Sequence, residues 1–350
     1  AVGHTGPVNI IPARYAGRIT LACGLSMVAA EILRYPHAVR AILCASLVAG
    51  LPTFRRSLMR QRFLLVWLAG FVGMGVEALF RDAPWLLLPA YFLLVVMLYR
   101  FASKSRDTAT MTIVGYGLSG SLDNSFFASL NEPIFGGFYR ALYCSVGLTA
   151  ASIAFFLIPL KKPPAVARIR PVSYPFRDLL FLGVCAITAL WVGGVMPQYL
   201  TSSFVVLLSL TWGIQLCTIR DKTTLVWNVG ISVLALAAAS FFDAAVVFST
   251  NNFGVYLIAY LSVIFSMHFL KATFPKFAPR LNLFTIVTSA GILMIPAPIQ
   301  TIQGILKIQC SMLAGIVVAT IVWIIDRSLR GVEASVERSG LGRNQAQVAV

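Results

Sequence analysis

The amino-acid sequence predicts an all-α polytopic membrane protein that crosses the bilayer about twelve times. Of its 350 residues, 58% are hydrophobic and only 11% are charged, and the mean hydropathy is +0.83. A chain with so little polar surface cannot cover itself in water, so most of it must be solvated by lipid. Long apolar runs recur, whereas the alternating pattern of a membrane β-strand is absent. Because the backbone must satisfy its own hydrogen bonds in lipid, these runs are predicted to be helices.

Twelve apolar runs, separated by short polar breaks, define the predicted spans. They are 17–34, 36–52, 63–80, 84–100, 109–122, 138–160, 177–196, 200–219, 223–242, 251–270, 282–297 and 304–326. The fifth and the eleventh are the shortest. The rest of the chain comprises an N-terminal segment at 1–16 without the pattern of a signal peptide, a basic Pro-rich linker at 161–176 and a polar tail at 327–350.

The distribution of Lys and Arg provides an independent test of the span count, because cytoplasmic loops are enriched in these residues. With both termini in the cytoplasm, the inner side holds Arg14, Arg18, Arg55, Arg56, Arg60, Arg62, Arg100, Lys104, Arg106, Lys161, Lys162, Arg168, Arg170, Arg177, Arg220, Lys222, Lys271, Lys276, Arg280, Arg327, Arg330, Arg338 and Arg343. The outer side holds Arg34, Arg40, Arg81, Arg140 and Lys307. A wrong span count would mix the two sets. The net charge of +16 therefore indicates membrane topology, and nucleic acid is not an expected partner.

Similar segments indicate that the first six helices (17–160) and the last six (177–326) are two copies of one unit. Three pairs recur in the same order: LVWLAG at 65–70 with LVWNVG at 225–230, TIV at 112–114 with TIV at 285–287, and CSVGLTAASIAF from Cys144 with CSMLAGIVVATIVW from Cys310. Since each copy begins on the inner side, the sequence predicts parallel repeats related by an axis along the membrane normal.

The fifth and eleventh predicted spans occupy equivalent places in the two repeats, and both are short and interrupted by Gly or Pro. Their sequences are TIVGYGLSGSLDNS and TIVTSAGILMIPAPIQ. Such paired broken helices often form the binding site of a secondary transporter, because their exposed backbone groups can hold a polar solute at membrane depth. The candidate solute-binding residues are Thr112, Tyr116, Ser119, Ser121, Thr285, Thr288 and Ser289. The alternative is that both segments are re-entrant or serve only in packing.

Acidic residues inside a membrane are costly, so they are candidates for proton coupling. Glu31 and Glu77 lie toward the outer ends of spans one and three, and Asp123 follows span five. For Glu31 and Glu77 the alternative is structural pairing with Arg34, Arg40 or Arg81. His268 is expected to be a satisfied histidine near the cytoplasmic interface.

A basic segment after span two, LPTFRRSLMRQR, could gather organic anions at an inner mouth. The residues of this predicted mouth are Arg55, Arg56, Arg60, Arg62 and Arg220. The alternative is that these residues only set topology or contact anionic lipid head groups.

No sequence motif predicts a catalytic centre, a cofactor or a metal site. GYGLSG at 115–120 fits the dinucleotide fingerprint GxGxxG, but no βαβ unit surrounds it and no acidic residue lies near position 140. The six cysteines are spread one per predicted helix without a CxxC pattern, so they are expected to be small core residues. The chain is therefore not expected to be an enzyme.

The chain resembles the fusaric acid resistance and aromatic acid exporter superfamily, and in particular its compact DUF2955-like branch. The resemblance covers about 16–330 and depends on four features. They are the six-plus-six layout, the basic loop GLPTFRRSLMRQR, the polar hairpin YRFASKSRDTATMTIVGYG and the sixth span YRALYCSVGLTAASIAFFLIP. The large cytosolic domain of better-known exporters has no counterpart beyond the linker and the tail.

The resemblance implies efflux of small organic, mainly aromatic, carboxylates across a bacterial inner membrane. The implied driving force is the proton gradient or the membrane potential. A HlyD-like periplasmic adaptor is the implied partner. A second copy of the chain is a further candidate partner, which the resemblance does not imply. Two alternatives stay open: a passive organic-anion channel, and a non-transporting membrane subunit of an envelope complex.

Overall fold

A computed structural model describes residues 10–33, 39–80, 83–119, 136–160, 173–217, 222–247, 252–274, 287–288 and 302–348. The helices of this part are α1 Ile10–Ile32, α2 Val39–Ala49, α3 Arg56–Phe80, α4 Pro84–Ser103, α5 Thr108–Leu118, α6 Gly136–Leu157, α7 Phe176–Val195, α8 Ser202–Leu216, α9 Lys222–Val247, α10 Phe253–Thr273 and α11 Ile302–Val348. No strand occurs among these residues. The predicted all-helical class is confirmed. The eleventh predicted span lies outside the described residues, apart from Val287 and Thr288.

Within the described part, six helical segments are long and apolar enough to cross a membrane. They are Arg56–Phe80, Trp85–Ser103, Phe176–Val195, Thr223–Phe242, Phe253–Thr273 and Gln309–Arg330. Their outward faces carry large apolar side chains such as Leu64, Leu79 and Phe241, which are 67%, 78% and 77% exposed. An apolar surface of this kind is suited to lipid rather than to water. The fold is therefore compatible with a membrane-embedded protein.

Three helices extend beyond the predicted spans into polar sequence. α1 begins at Ile10, α3 begins at Arg56, and α11 continues through the predicted polar tail to Val348. Hydropathy detects only the part of a helix that is apolar, whereas backbone hydrogen bonding continues wherever the residues allow a helix. As a result Arg18 and Arg62, which were expected near the inner surface, lie inside helices.

One end of the bundle collects many of the described charged residues. We call it the basic end. Contacts at this end join Tyr15 with His268, Arg62 with Asp107, Arg100 with Phe176, and Asp178 with Arg330. α1 begins at this end, and α11 passes through it at Asp326 and Arg330. These two residues form ion pairs of 3.2–3.3 Å with Asp178 and Arg177 of α7, and they pair with each other at 2.6 Å.

The helices form two sets that contact each other through α1 and α10, through α4 and α7, and through α5 and α8. In the first set α1 packs on α2 and α6, and α2 packs on α6. In the second set α7 packs on α8 and α11, and α8 packs on α11. α3 packs on α4, α5 and α6, whereas α9 packs only lightly on α10 and α11 in the described part.

The tightest contacts in both sets are made by glycines. A Cβ added to Gly147 of α6 would overlap the carbonyl oxygen of Ala41 on α2. A Cβ added to Gly315 of α11 would lie 2.6 Å from the Val205 carbonyl oxygen and 2.9 Å from the Leu208 Cβ on α8. Small residues let helix backbones approach closely, which is the main source of van der Waals attraction between helices in lipid. Both crossings therefore require a residue without a side chain.

We expect Gly315→Ala to lower the free energy of unfolding by about 1–3 kcal/mol, because the added methyl group must displace the backbone of α8. The measurement is thermal unfolding of the purified protein in detergent. Gly230→Ala is the matched control: its Cβ would meet no atom within 4 Å, and alanine favours a helix by about 1 kcal/mol over glycine. Equal melting temperatures for the two variants would contradict the proposed close crossing.

Candidate functional site

The short helix α5 is enclosed by other helices of the described structure. Every residue from Ala109 to Leu118 is buried. α5 contacts α2, α3, α4 and α6 of the first set and α8 of the second set. At Gly115 the α8 side chain of Leu210 comes within 3.6 Å of an added Cβ. α5 therefore lies where the two sets of helices meet.

The candidate solute-binding residues of α5 share one face of the helix. Thr112, Tyr116 and Ser119 follow at intervals of four and three residues, and all three are buried. Thr112 donates its hydroxyl hydrogen to the Thr108 carbonyl at 3.0 Å, and Ser119 donates to the Tyr116 carbonyl at 3.1 Å. Both hydroxyl oxygens keep acceptor capacity, but their hydrogens are used within α5.

Of the candidates in the eleventh predicted span, only Thr288 is described. It is buried, and its hydroxyl donates to the Ala235 carbonyl of α9 at 3.4 Å. Thr285, Ser289 and Ser121 lie outside the described residues. The structure thus places three candidates on one helix and a fourth against α9.

The glycines of GYGLSG serve helix packing. Gly115 lies against the Tyr99 hydroxyl of α4, which an added Cβ would approach to 2.7 Å, and Gly117 lies against Ala69 of α3. Both glycines are inside a helix that no strand precedes in the described chain. Near the end of α5, Tyr91 of α4 donates a hydrogen bond to the Leu118 carbonyl at 3.2 Å.

An ion pair that was not predicted anchors the start of α5. Asp107 is the N-cap residue, and its carboxylate accepts hydrogen bonds from the Ala109 and Thr110 amides and from the Thr110 hydroxyl at 2.8–3.3 Å. Arg62 of α3 donates to the same carboxylate at 2.5 Å and to the Thr110 hydroxyl at 3.1 Å. Both charged residues are almost fully buried. Tyr174 lies nearby, just before α7, and burial raises the pKa of its phenol to about 12.

The ion pair separates Arg62 from the other described arginines of the predicted basic mouth. Arg55, Arg56 and Arg60 are exposed at the start of α3. Arg62 is only 2% exposed and is bound to Asp107, so it is not available to a solute in this structure. Arg220 lies outside the described residues.

The predicted proton-coupling role of the acids stays a prediction. Glu31 is exposed on the protein surface in the last turn of α1. The backbone of Glu77 lies in α3, but its side chain is outside the described part, as is Asp123.

The local sequence contained a signal for the N-cap, because Asp107 is followed after three residues by Thr110 at the start of an apolar run. It contained no signal for Arg62 as the partner, since that contact spans 45 positions in the chain.

We expect Asp107→Asn to lower the free energy of unfolding by about 3 kcal/mol, because asparagine still caps α5 but leaves Arg62 buried without its counter-charge. In Arg62→Met/Asp107→Asn the loss should be smaller than the sum of the two single losses. The measurement is denaturant unfolding in detergent micelles. Arg60→Met, which removes an exposed charge two residues away, is the control and should change stability by less than about 0.5 kcal/mol. Strictly additive losses would show that the pair contributes no coupling.

Comparison of this chain with protein-family models, curated proteins and solved structures gave no match. Its function therefore has to be inferred from its own residues and contacts.

Proposed function

We propose that this chain is a secondary transporter of the bacterial inner membrane that exports small organic carboxylates, aromatic ones in particular. The observation that carries the proposal is the enclosed helix α5, which carries buried polar residues and lies where two sets of helices meet. The resemblance to the aromatic acid exporter superfamily supports the class of solute. The proton gradient or the membrane potential is the proposed driving force, and a HlyD-like adaptor and a second copy of the chain are the proposed partners.

The contacts between helices support a parallel repeat. α1 packs on α2, α6 and α10, and α7 packs in the same way on α8, α11 and α4. If α1, α2, α4 and α6 are matched with α7, α8, α10 and α11, each contact of α1 corresponds to a contact of α7 that is also present. The glycine crossings at Gly147 and Gly315 occupy corresponding helix pairs as well. We therefore propose twelve spans in two six-helix repeats, with the undescribed eleventh span as the counterpart of α5.

The length of α5 supports a solute site at membrane depth. Its 11 residues span about 16 Å, whereas the hydrocarbon core is about 30 Å thick. Since α5 starts beside the basic end, its C-terminal carbonyls lie well inside the bundle. A helix end in this position is tolerated only where protein or a polar cavity surrounds it, and in transporters such ends often contact the solute.

The charge distribution supports the direction of export. Described cations concentrate at the basic end, which by the positive-inside rule would face the cytoplasm and place both termini there. Arg55, Arg56 and Arg60 are exposed at this end and would raise the local concentration of anions. Organic anions formed in the cytoplasm would thus reach the entrance more often.

The decisive experiment expresses the chain, with and without a HlyD-like adaptor, in an efflux-deficient strain and measures accumulation of aromatic carboxylates. Purified protein in proteoliposomes then separates the mechanisms. Accumulation driven by a pH gradient at zero membrane potential supports the transporter. A voltage-dependent current that a pH gradient does not alter identifies a channel, because a potential alone drives an anion through either. Absence of flux for every carboxylate, with the adaptor present, would leave the non-transporting subunit as the better description.

We expect Tyr116→Phe to raise the KM for an aromatic carboxylate about threefold to tenfold, because it removes one neutral hydrogen-bonding group without changing the size of the side chain. Initial rates in proteoliposomes measure the effect. Tyr143→Phe, a buried tyrosine of α6, is the control and should leave KM unchanged. Identical kinetics for both variants would remove Tyr116 from the proposed site.

The triple variant Arg55→Gln/Arg56→Gln/Arg60→Gln should lower the initial rate at low substrate concentration severalfold. This loss should shrink in about 0.5 M salt, because attraction between exposed charges is screened over a few ångströms at that ionic strength. The corresponding triple lysine variant keeps the charge and should transport like the parent. A salt-independent loss in the glutamine variant would point to a structural defect instead.

A further inference from the structure

The buried face of α10 becomes polar toward the basic end. Its buried residues are Tyr256, Tyr260, Ile264, His268 and Lys271, which follow at helical spacing on one side. α10 packs mainly on α1, so this face forms one of the contacts between the sets of helices. The contact between α4 and α7 is made without a buried histidine or lysine on α4 in the described residues. Packing between the sets therefore does not by itself require a buried histidine or lysine such as His268 and Lys271.

The sequence predicted that the ring nitrogens of His268 are hydrogen-bonded near the cytoplasmic interface, and the structure differs from this prediction. The residue is only 6% exposed, and its Nδ1 atom has no hydrogen-bond partner among the described residues. The edge of its ring faces Tyr15 of α1, with 6.2 Å between ring centroids. Buried polar atoms in native proteins almost always form hydrogen bonds. The unpaired Nδ1 atom therefore indicates a hydrogen-bond partner outside the described residues.

The surroundings of His268 are positively charged. Lys271 lies nearly one turn away on the same face of α10 and is 7% exposed. A ligand that offers acceptor oxygens and negative charge fits such a place.

The same face offers aromatic surface deeper in the bundle. Tyr256 and Tyr260 stack with 6.5 Å between ring centroids, and the Tyr260 hydroxyl is buried without a hydrogen-bond partner in the described part. Tyr260 lies about 12 Å from His268 along the helix, so a single small aromatic acid cannot contact both, and the aromatic ring beside His268 is that of Tyr15.

We propose that His268 and Lys271, facing Tyr15 across the contact between α1 and α10, form an oxyanion site for the carboxylate of the exported acid. The site is separate from the candidate residues of α5. It rests on the proposed function for the identity of its ligand. His268 contributes an N–H donor from Nδ1, and Lys271 contributes the charge.

The test uses the full chain in nanodiscs of zwitterionic phosphatidylcholine, with benzoate as the probe. Calorimetry measures benzoate affinity, and nitrogen NMR of ¹⁵N-labelled histidine follows the imidazole of His268 in a His4→Gln/His37→Gln background. We expect Lys271→Met to weaken benzoate binding about tenfold or more, and Lys271→Arg to stay within about threefold of the parent. Lys104→Met, which removes an exposed lysine at the same end, should bind benzoate like the parent. Benzoate should shift the His268 resonance.

Three results would overturn the site: no benzoate binding by the parent, unchanged affinity in folded Lys271→Met and His268→Phe, or a shift of His268 only when anionic phosphatidylglycerol is added. The last would assign the pair to a lipid phosphate. Flux measured in parallel separates the two proposals. Benzoate binding without flux would support the oxyanion site and contradict the transporter function. Flux that both Lys271→Met and His268→Phe retain would support the transporter function and contradict the oxyanion site.

Discussion

Direct backbone contact between paired helices, α2 with α6 and α8 with α11, is the constraint on which the other contacts depend. In lipid, an apolar side chain gains little by moving from the bilayer to a helix surface, so close approach has to supply the attraction. Gly147 and Gly315 make that approach possible. The second pair is also joined by a hydrogen bond of 3.0 Å from the Trp212 indole to the Thr320 hydroxyl. α1 and α7 pack on these pairs and thereby bring the two sets together around α5.

The buried charged side chains with described partners lie mainly where a helix begins or ends. Asp107 caps α5 and is neutralised by Arg62, while Arg18 donates to the carbonyls at the end of α2. In each case a charged group satisfies backbone atoms that the helix itself leaves unpaired. A buried ion pair adds little net stability, but it is specific, because each partner is costly without the other. The pair with Asp107 thus fixes which part of α3 the start of α5 can contact.

The sequence predicted where the helices lie because hydropathy depends on residues that are adjacent in the chain. It also predicted that Thr112, Tyr116 and Ser119 share one helix. It could not reveal the burial of Arg62, because the partner that makes burial tolerable is brought in by the fold. The same limit applies to His268, whose surroundings are set by α1, and to Glu31, where an acid within an apolar run turned out to lie at an exposed helix end. Local patterns locate elements, whereas the protonation and availability of a side chain depend on its neighbours in space.

The uninterrupted course of α11 has a mechanical consequence. The helix crosses α8 at Gly315 and runs on to Val348 without a break. Ion pairs of Asp326 and Arg330 with α7 hold the helix beyond this crossing, and the part from Arg330 to Val348 extends about 27 Å farther at about 1.5 Å per residue. A change of about 5° in the direction of α11 at Arg330 would move its far end by about 2 Å. A small change in the packing of α11 on α7 would thus be carried along the helix to its far end.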